Sequence, residues 1–314
     1  MYDILLIGET LIDMVTEDYT ENLEKAFKFE KYAGGSPANI AANLSDFNVK
    51  PYFISRVGND PFGDFLKSSI SSRNISLEGI QTDISNHTSM VFVTKSKGNP
   101  QFFPSRAADH NIEEPENLAA IVKSSRFFHF SSWPISMNPS RQLIMKTLDL
   151  CKKHDTKICF DPNYRKKLWE IGNDAMETLE MVFKNCYLCK PSLDDSFHIF
   201  GDMSTDEYIV KYHSLGVENV ILTLGKDGAI ISDGKSKEFL KPVARNVVDT
   251  TGAGDGFWSG VYFALLKGND IFSAAKIGNA VAAYRVESVG AGSKLPDIYK
   301  ILEMYDLKKE EFII

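Results

Sequence analysis

The feature that most restricts the fold of this chain is a repeated alternation of short β-rich runs with longer stretches of helical apolar spacing. The runs "YDILLIG", "PYFISRVG", "RFFHFSS", "TKICFDPN" and "NVILTLG" are separated by segments of helical period. That order predicts stacked βαβ units and a mainly parallel sheet flanked by helices. Two helix starts are explicit. "SPANIAANLSDF" and "DPFGDFLKSSISS" each open on a capping residue, Ser36 or Asp60, followed by proline at the first helical position. With 314 residues, the chain suits one large α/β domain or such a domain with a smaller appendage.

Two stretches break the alternation, at about 12–33 and 77–106. In the second, "SMVFVTKSKGNPQFFPS" places two extended runs on either side of a Lys97-Gly98-Asn99 turn. Hairpin inserts in a βαβ series predict a small β flap over one edge of the main sheet, where flaps commonly close on ligands, although purely decorative hairpins would look the same. The amino-terminal "MYDILLIGETLIDMV" carries acids within its apolar run and reads as a buried strand, not a signal peptide. No stretch approaches the roughly 20 apolar residues of a membrane span, so a cytoplasmic protein is expected. Charge narrows the partners further. Lys and Arg total 35 against 42 Asp and Glu, for a net charge of −7, and no basic tract suits a nucleic-acid backbone. The four cysteines, Cys151, Cys159, Cys186 and Cys189, are too few and clustered for a disulfide framework. Cys186 and Cys189 form a C-x-x-C on a strand-like segment, where positions three apart face opposite ways, so core thiols are expected rather than a metal or redox pair.

The chemistry gathers in "DTTGAGDGF", residues 249–257. Gly252 and Gly254 let backbone N–H groups converge, and a helical pattern begins at Asp255. A glycine turn opening a helix binds anions through its free N–H groups and the positive end of the helix dipole. There is no Walker G-x-x-x-x-G-K-[ST], and Phe257 stands where a Rossmann fingerprint needs its third glycine, which disfavours a nicotinamide enzyme. A carboxylate at an anion site is repelled by phosphate unless it serves another reactant. In phosphoryl transfer to an alcohol it would accept the hydroxyl proton, beside donors that hold the moving phosphoryl oxygens. Taken alone, Asp255 would read equally well as a helix cap.

"AGGSPANIAANLSDF" and "DTTGAGDGFWSG" resemble the two signatures of the ribokinase-like (PfkB) carbohydrate kinase family, in the right order and over nearly the whole chain. The resemblance implies a single α/β kinase domain over 1–314 in a three-layer ribokinase-like fold, with a lid from the two inserts. It implies ATP with Mg²⁺, possible K⁺, a small sugar as acceptor, and a homodimer through the lid. It also assigns roles. Asp255 would be the catalytic base, with Gly252, Ala253 and Gly254 forming the anion hole. Asp13, Gly34, Gly35 and Asn39 would meet the sugar. Thr223, Gly225 and Gly228 of "TLGKDGA", with Asn279, would contact the nucleotide, as would Lys190 and Gly254. Asp249, Thr251, Ser288 and Gly290 would offer oxygens to a monovalent cation. The family's Asn-x-x-Glu, which helps organise magnesium, is absent: "CKPSLDD" puts Lys190 and Leu193 in those places, with Asp194 and Asp195 as substitutes through water.

Arg106 in "FFPSRAADHN" and Arg165 in "FDPNYR" resemble positions used near the substrate by fructokinases and 2-keto-3-deoxygluconate kinases. An arginine there can grip a carboxylate, donate to hydroxyls or lie on the surface. Fructose is the leading acceptor, ahead of the keto-deoxy sugar acid and other sugars or nucleosides. A phosphorylated sugar would want more cationic residues than the sequence lets one place. An inactive sugar-binding regulator is the reading from another class, and the retained Asp255 with its glycines argues against it.

Overall fold

A computed structural model describes residues 2–96, 101–169, 175–287, 293–308 and 312–313. Among the described residues, thirteen strands form two sheets, numbered here in chain order. The large sheet runs β13 (Lys237–Leu240), β12 (Ala229–Ser232), β11 (Asn219–Thr223), β10 (Leu188–Cys189), β9 (Lys157–Asp161), β8 (Phe127–Ser131), β1 (Ile4–Ile7), β4 (Pro51–Gly58) and β5 (Ile80–Asp83). From β11 to β5 all neighbours are parallel; β12 and β13 add an antiparallel edge. The central strands are apolar on both faces because helices cover both, and Ile4 to Ile7 are fully buried.

One face is covered by α1 (Ser36–Asp46), α2 (Pro61–Ser72), α9 (Ala253–Lys267), α10 (Ile271–Val286) and α11 (Ile298–Met304). The other carries α3 (Leu118–Ser124), the short α4 (Ser132–Ile135), α5 (Ser140–His154), α6 (Ala175–Phe183), α7 (Leu193–Phe200) and α8 (Thr205–Ser214). This is the three-layer arrangement expected from the alternation. Among the described residues, no helix is long and apolar enough to cross a membrane.

The small sheet is ordered β3 (Phe29–Gly34), β2 (Leu11–Tyr19), β6 (Met90–Lys95) and β7 (Phe102–Ser105). Its outer pairs are antiparallel and its central β2–β6 pair is parallel. The two irregular stretches supply these strands, with one exception: β5, from the second stretch, pairs with β4 at the edge of the large sheet. The amino-terminal apolar run is likewise two strands, not one. It breaks after Ile7 and passes from the large sheet into the small one, which places Asp13 at the root of the small sheet. The Lys97-Gly98-Asn99 turn lies outside the described residues.

Two local expectations need correction. Asp60 caps α2, accepting from the N–H groups of Phe62 and Gly63, but Ser36 does not cap α1. Gly35 holds the cap position at φ 104°, because a Cβ there would lie 2.4 Å from the Glu9 carbonyl oxygen, and this frees the Ser36 hydroxyl. Cys186 and Cys189 do not face opposite ways. Cys186 precedes the two-residue β10, and both thiols sit buried and free in the same apolar layer.

Candidate active site

The helices α1 and α9 begin beside one another at the carboxyl edge of the large sheet, where open α/β sheets bind ligands. Gly252 caps α9 in a left-handed conformation, φ 78°, so the chain turns sharply into a helix start whose N–H groups have no partner within the helix, Ala253 N donating instead to the Thr250 carbonyl at 3.3 Å. Asp255 sits in this first turn. Its Oδ1 accepts from Ser36 Oγ at 2.6 Å and its Oδ2 from Asn39 Nδ2 at 2.9 Å, both from the first turn of α1. A carboxylate has about four acceptor sites, so two neutral donors fix its orientation and leave capacity for a ligand hydroxyl. Burial pushes Asp255 up to about 6, against the Ser36 and Asn39 bonds, which favour its ionised form. It is therefore ionised at neutral pH and aimed by its neighbours.

Asp13 stands opposite. Its pKa is pushed up to about 7, first by burial and then by the Asp255 carboxylate. Gly34 makes room for it: a Cβ on Gly34 would lie 2.0 Å from Asp13 Oδ2. The structure thus brings Asp13, Gly34, Gly35, Asn39, Gly252, Ala253, Gly254 and Asp255 into one place. Two residues not expected at the site join them. Ser36 comes from the first turn of α1. Glu9 is buried, with Oε1 accepting from Ser36 N at 3.2 Å and Oε2 without a hydrogen-bond partner. Burial, with Asp109 nearby, pushes Glu9 up to about 8, so it is mainly neutral at pH 7.

Lys190 follows β10, and its N–H bonds to the Phe160 carbonyl of β9, which sets it beside Asp161. Lys190 Nζ lies 3.3 Å from Asp161 Oδ2, and a Cβ on Gly254 would lie 3.7 Å from that Nζ, so the ammonium hangs over the start of α9. The residues that α7 brings together at three-residue spacing are Ser192 and Asp195, not Lys190 and Leu193. They form a capping box, and Asp195 is further occupied by Tyr164 N, while Leu193 is exposed. Asp194 is exposed near Arg165 and His198.

Thr223 ends β11 and bridges to Ser192, carrying the edge of the site toward Gly225 and Gly228. Gly228 could not bear a side chain, since a Cβ would meet the Leu240 carbonyl oxygen at 2.2 Å, whereas nothing lies within 4 Å of one on Gly225. Asn279 donates to the Lys241 carbonyl at 2.8 Å, tying α10 to the segment after β13. Asp249 Oδ1 accepts from Thr251 N at 2.9 Å in the approach to α9, and Ser288 and Gly290 lie outside the described residues.

The arginines separate. Arg106 makes four hydrogen bonds, from Nε to Asp109, from Nη1 to Ser136 Oγ and the Leu168 carbonyl, and from Nη2 to the Trp133 carbonyl, and its Nη2 also lies 2.7 Å from Asp109 Oδ2. It braces the wall beneath the small sheet, with most of its donors engaged by the protein. Arg165 is exposed, 3.7 Å from Asp195 Oδ1. With Lys166, Lys167, Tyr164, Phe92 and Phe103 it lines a cavity of about 1090 Å³ between the β9–α6 connection and the small sheet. Neither Asp255 nor Asp13 lines that cavity, so it lies beside the glycine turn and not over it.

A family model described as pfkB family carbohydrate kinase matches residues 1–298. An ATP-dependent 6-phosphofructokinase of Thermoanaerobacterium thermosaccharolyticum is 45% identical over 98% of this chain and 95% of its own length. Among solved structures, Halothermothrix orenii fructokinase is 34% identical with a TM-score of 0.80, covering 92% of this chain and 99% of its own. An uncharacterized sugar kinase of Pyrococcus horikoshii, solved with ATP, is 30% identical with a TM-score of 0.85, covering 99% and 100%.

Proposed function

The chain belongs to the pfkB family of carbohydrate kinases, and from that premise we propose that it transfers the γ-phosphoryl group of ATP to a hydroxyl of a fructose-type sugar. One observation carries this reading: a carboxylate oriented by two α1 donors stands in the first turn of a glycine-capped helix, with an ammonium over that same turn.

In the reaction, the sugar oxygen bonds to the γ-phosphorus, the bond to the bridging oxygen breaks, and ADP leaves with that electron pair. The hydroxyl proton passes to Asp255. An alcohol is too weak an acid to ionise beforehand, so the proton moves late and orientation counts for more than basicity. The N–H groups of Gly252–Gly254 and the Lys190 ammonium receive the charge on the equatorial phosphoryl oxygens. Asp13, Gly34, Gly35 and Asn39 seat the sugar, and Thr223, Gly225, Gly228 and Asn279 border the nucleotide.

Magnesium, bound with the nucleotide, would neutralise phosphate charge. Among the described residues no three His, Cys, Asp or Glu are grouped to hold a metal, which fits an ion held by phosphates and water rather than by a protein cage. The carbonyls of Asp249 and Thr251 are the oxygens on this side for a monovalent cation. The small sheet, rooted at Asp13, serves as the lid.

A second reading, in which the sugar already carries a phosphate, is favoured by the three consecutive cations Arg165, Lys166 and Lys167 that line the cavity, and the 45% identical relative carries the name of such an enzyme. ADP release with fructose, fructose 6-phosphate, 2-keto-3-deoxygluconate, ribose and adenosine tests both. Turnover on either fructose form supports the proposal and tells the two readings apart; turnover only on the sugar acid, ribose or adenosine refutes it.

A further inference from the structure

Asp161 puzzles on electrostatic grounds. It is a second carboxylate at the edge where phosphate would arrive, 7% exposed, and it would repel phosphate if it acted alone. Its partners explain its place. Oδ2 accepts from Trp258 Nε1 at 2.8 Å, and the same oxygen faces Lys190 Nζ at 3.3 Å. Trp258 belongs to α9, so the carboxylate is clamped to the helix whose first turn forms the anion pocket. Lys190 also lies over the Trp258 ring, 5.5 Å from its centroid.

A lysine has a long flexible stem and a point charge, so it settles on whichever carboxylate offers the better geometry. Two are within its influence, Asp161 and Asp255. Paired with Asp255, it would occupy the oxygens needed for the sugar proton and leave the phosphoryl pocket. We propose that Asp161 is a positioning residue, holding the Lys190 ammonium over the phosphoryl-receiving end of α9 and away from Asp255. The inference rests on Asp255 being the base of the proposed kinase reaction.

The groups facing Asp255 are Asp13 from β2, Ser36 and Asn39 from α1, Asp161 from β9, Lys190 beyond β10 and Arg285 from α10. His129 of β8, near Asp161 and Lys190, is driven down to about 3 by burial and stays neutral. Replacing Asp161 by Asn keeps an oxygen for the Trp258 N–H but removes the charge that holds Lys190.

The test is a mutant cycle read on ligand-free protein, with the Asp255 carboxyl followed by carbon NMR of labelled aspartate in wild type, Asp161→Asn, Lys190→Met and the double variant. Lys190→Met is expected to raise the Asp255 titration midpoint more in the Asp161→Asn background than in wild type, because there the lysine has moved onto Asp255. An equal rise in both backgrounds overturns the proposal. In turnover, Asp161→Asn is expected to lose about tenfold or more in kcat while sugar KM stays within about threefold, and its acid limb moves to lower pH. Unchanged kcat and limb also overturn it. Should Asp161→Asn fail to fold, Trp258→Phe loosens the same carboxylate, and its cycle with Lys190→Met must show the same sign. If wild type phosphorylates no sugar, the kinase reading fails, while the titration cycle still decides whether Asp161 places Lys190.

Discussion

Replacing Asp255 by Asn removes one proton acceptor and little else. The amide has the shape of the carboxylate, and its oxygen can still accept from Ser36 Oγ or Asn39 Nδ2, which lie 2.6 and 2.9 Å from the native oxygens. The α9 cap rests on Gly252 and not on this side chain, so the anion pocket stays formed. The loss should therefore be that of a general base, about 10²- to 10⁴-fold in kcat, or about 2.7–5.4 kcal/mol at 1.36 kcal/mol per decade. Sugar affinity, measured calorimetrically without nucleotide, should stay close to wild type. The wild-type pH profile supplies a second readout. Asp255 must be ionised to act and its pKa in the ligand-free protein is raised to about 6, so kcat/KM should climb tenfold per pH unit below about 6 and level off above it, while the variant's residual rate lacks that limb. Turnover by coupled ADP release at pH 5 to 8.5 measures both. Near wild-type kcat in Asp255→Asn, or an identical acid limb in the two proteins, would refute the assignment of the base.

Three further outcomes follow from the same geometry. Asp13→Asn removes a carboxyl that faces the Asp255 side of the site; sugar KM should rise about tenfold for the lost hydroxyl contact. Gly35→Ala puts a Cβ 2.4 Å from the Glu9 carbonyl at φ 104°, so denaturant unfolding should show a loss of about 1–3 kcal/mol or more. Lys166→Ala with Lys167→Ala should raise KM for fructose 6-phosphate about tenfold or more while leaving fructose unchanged; equal effects on both sugars would remove the phosphorylated-sugar reading.

How far the sequence reveals this molecule depends on the range of the forces involved. Strands β1, β4, β8, β9 and β11 are legible because each is a β-rich run bounded by a helix pattern or turn. The β10 segment shows only as a strand-like C-x-x-C, and the antiparallel β12 and β13 are not legible, since pieces this short owe their state to the sheet edge they pair with. At the site, Asp255, Gly252 and Gly254 stand out because a glycine turn next to an acid is a local signal. Ser36 is misread for an equally local reason: serine before proline looks like a cap, yet the backbone squeezes past Glu9 and only glycine fits there. Asp161 leaves no such mark. Its partners Lys190 and Trp258 lie 29 and 97 residues away and meet it only through the β9–β10 register and the packing of α9. The one available clue is its place at the carboxyl end of a parallel strand. The engagement of Arg106 in four protein hydrogen bonds is likewise invisible until Asp109, Trp133, Ser136 and Leu168 converge.

The central claim is that the glycine-capped start of α9 receives the moving phosphoryl group while Asp255 takes the proton. The most direct measurement is a crystal structure of the protein with ADP, the preferred sugar and aluminium fluoride standing in for the phosphoryl group. The fluoride is expected over the N–H groups of Gly252–Gly254 with Lys190 against it, and the sugar hydroxyl hydrogen-bonded to Asp255. A fluoride bound elsewhere, with Asp255 still engaged only by Ser36 and Asn39, would contradict the claim.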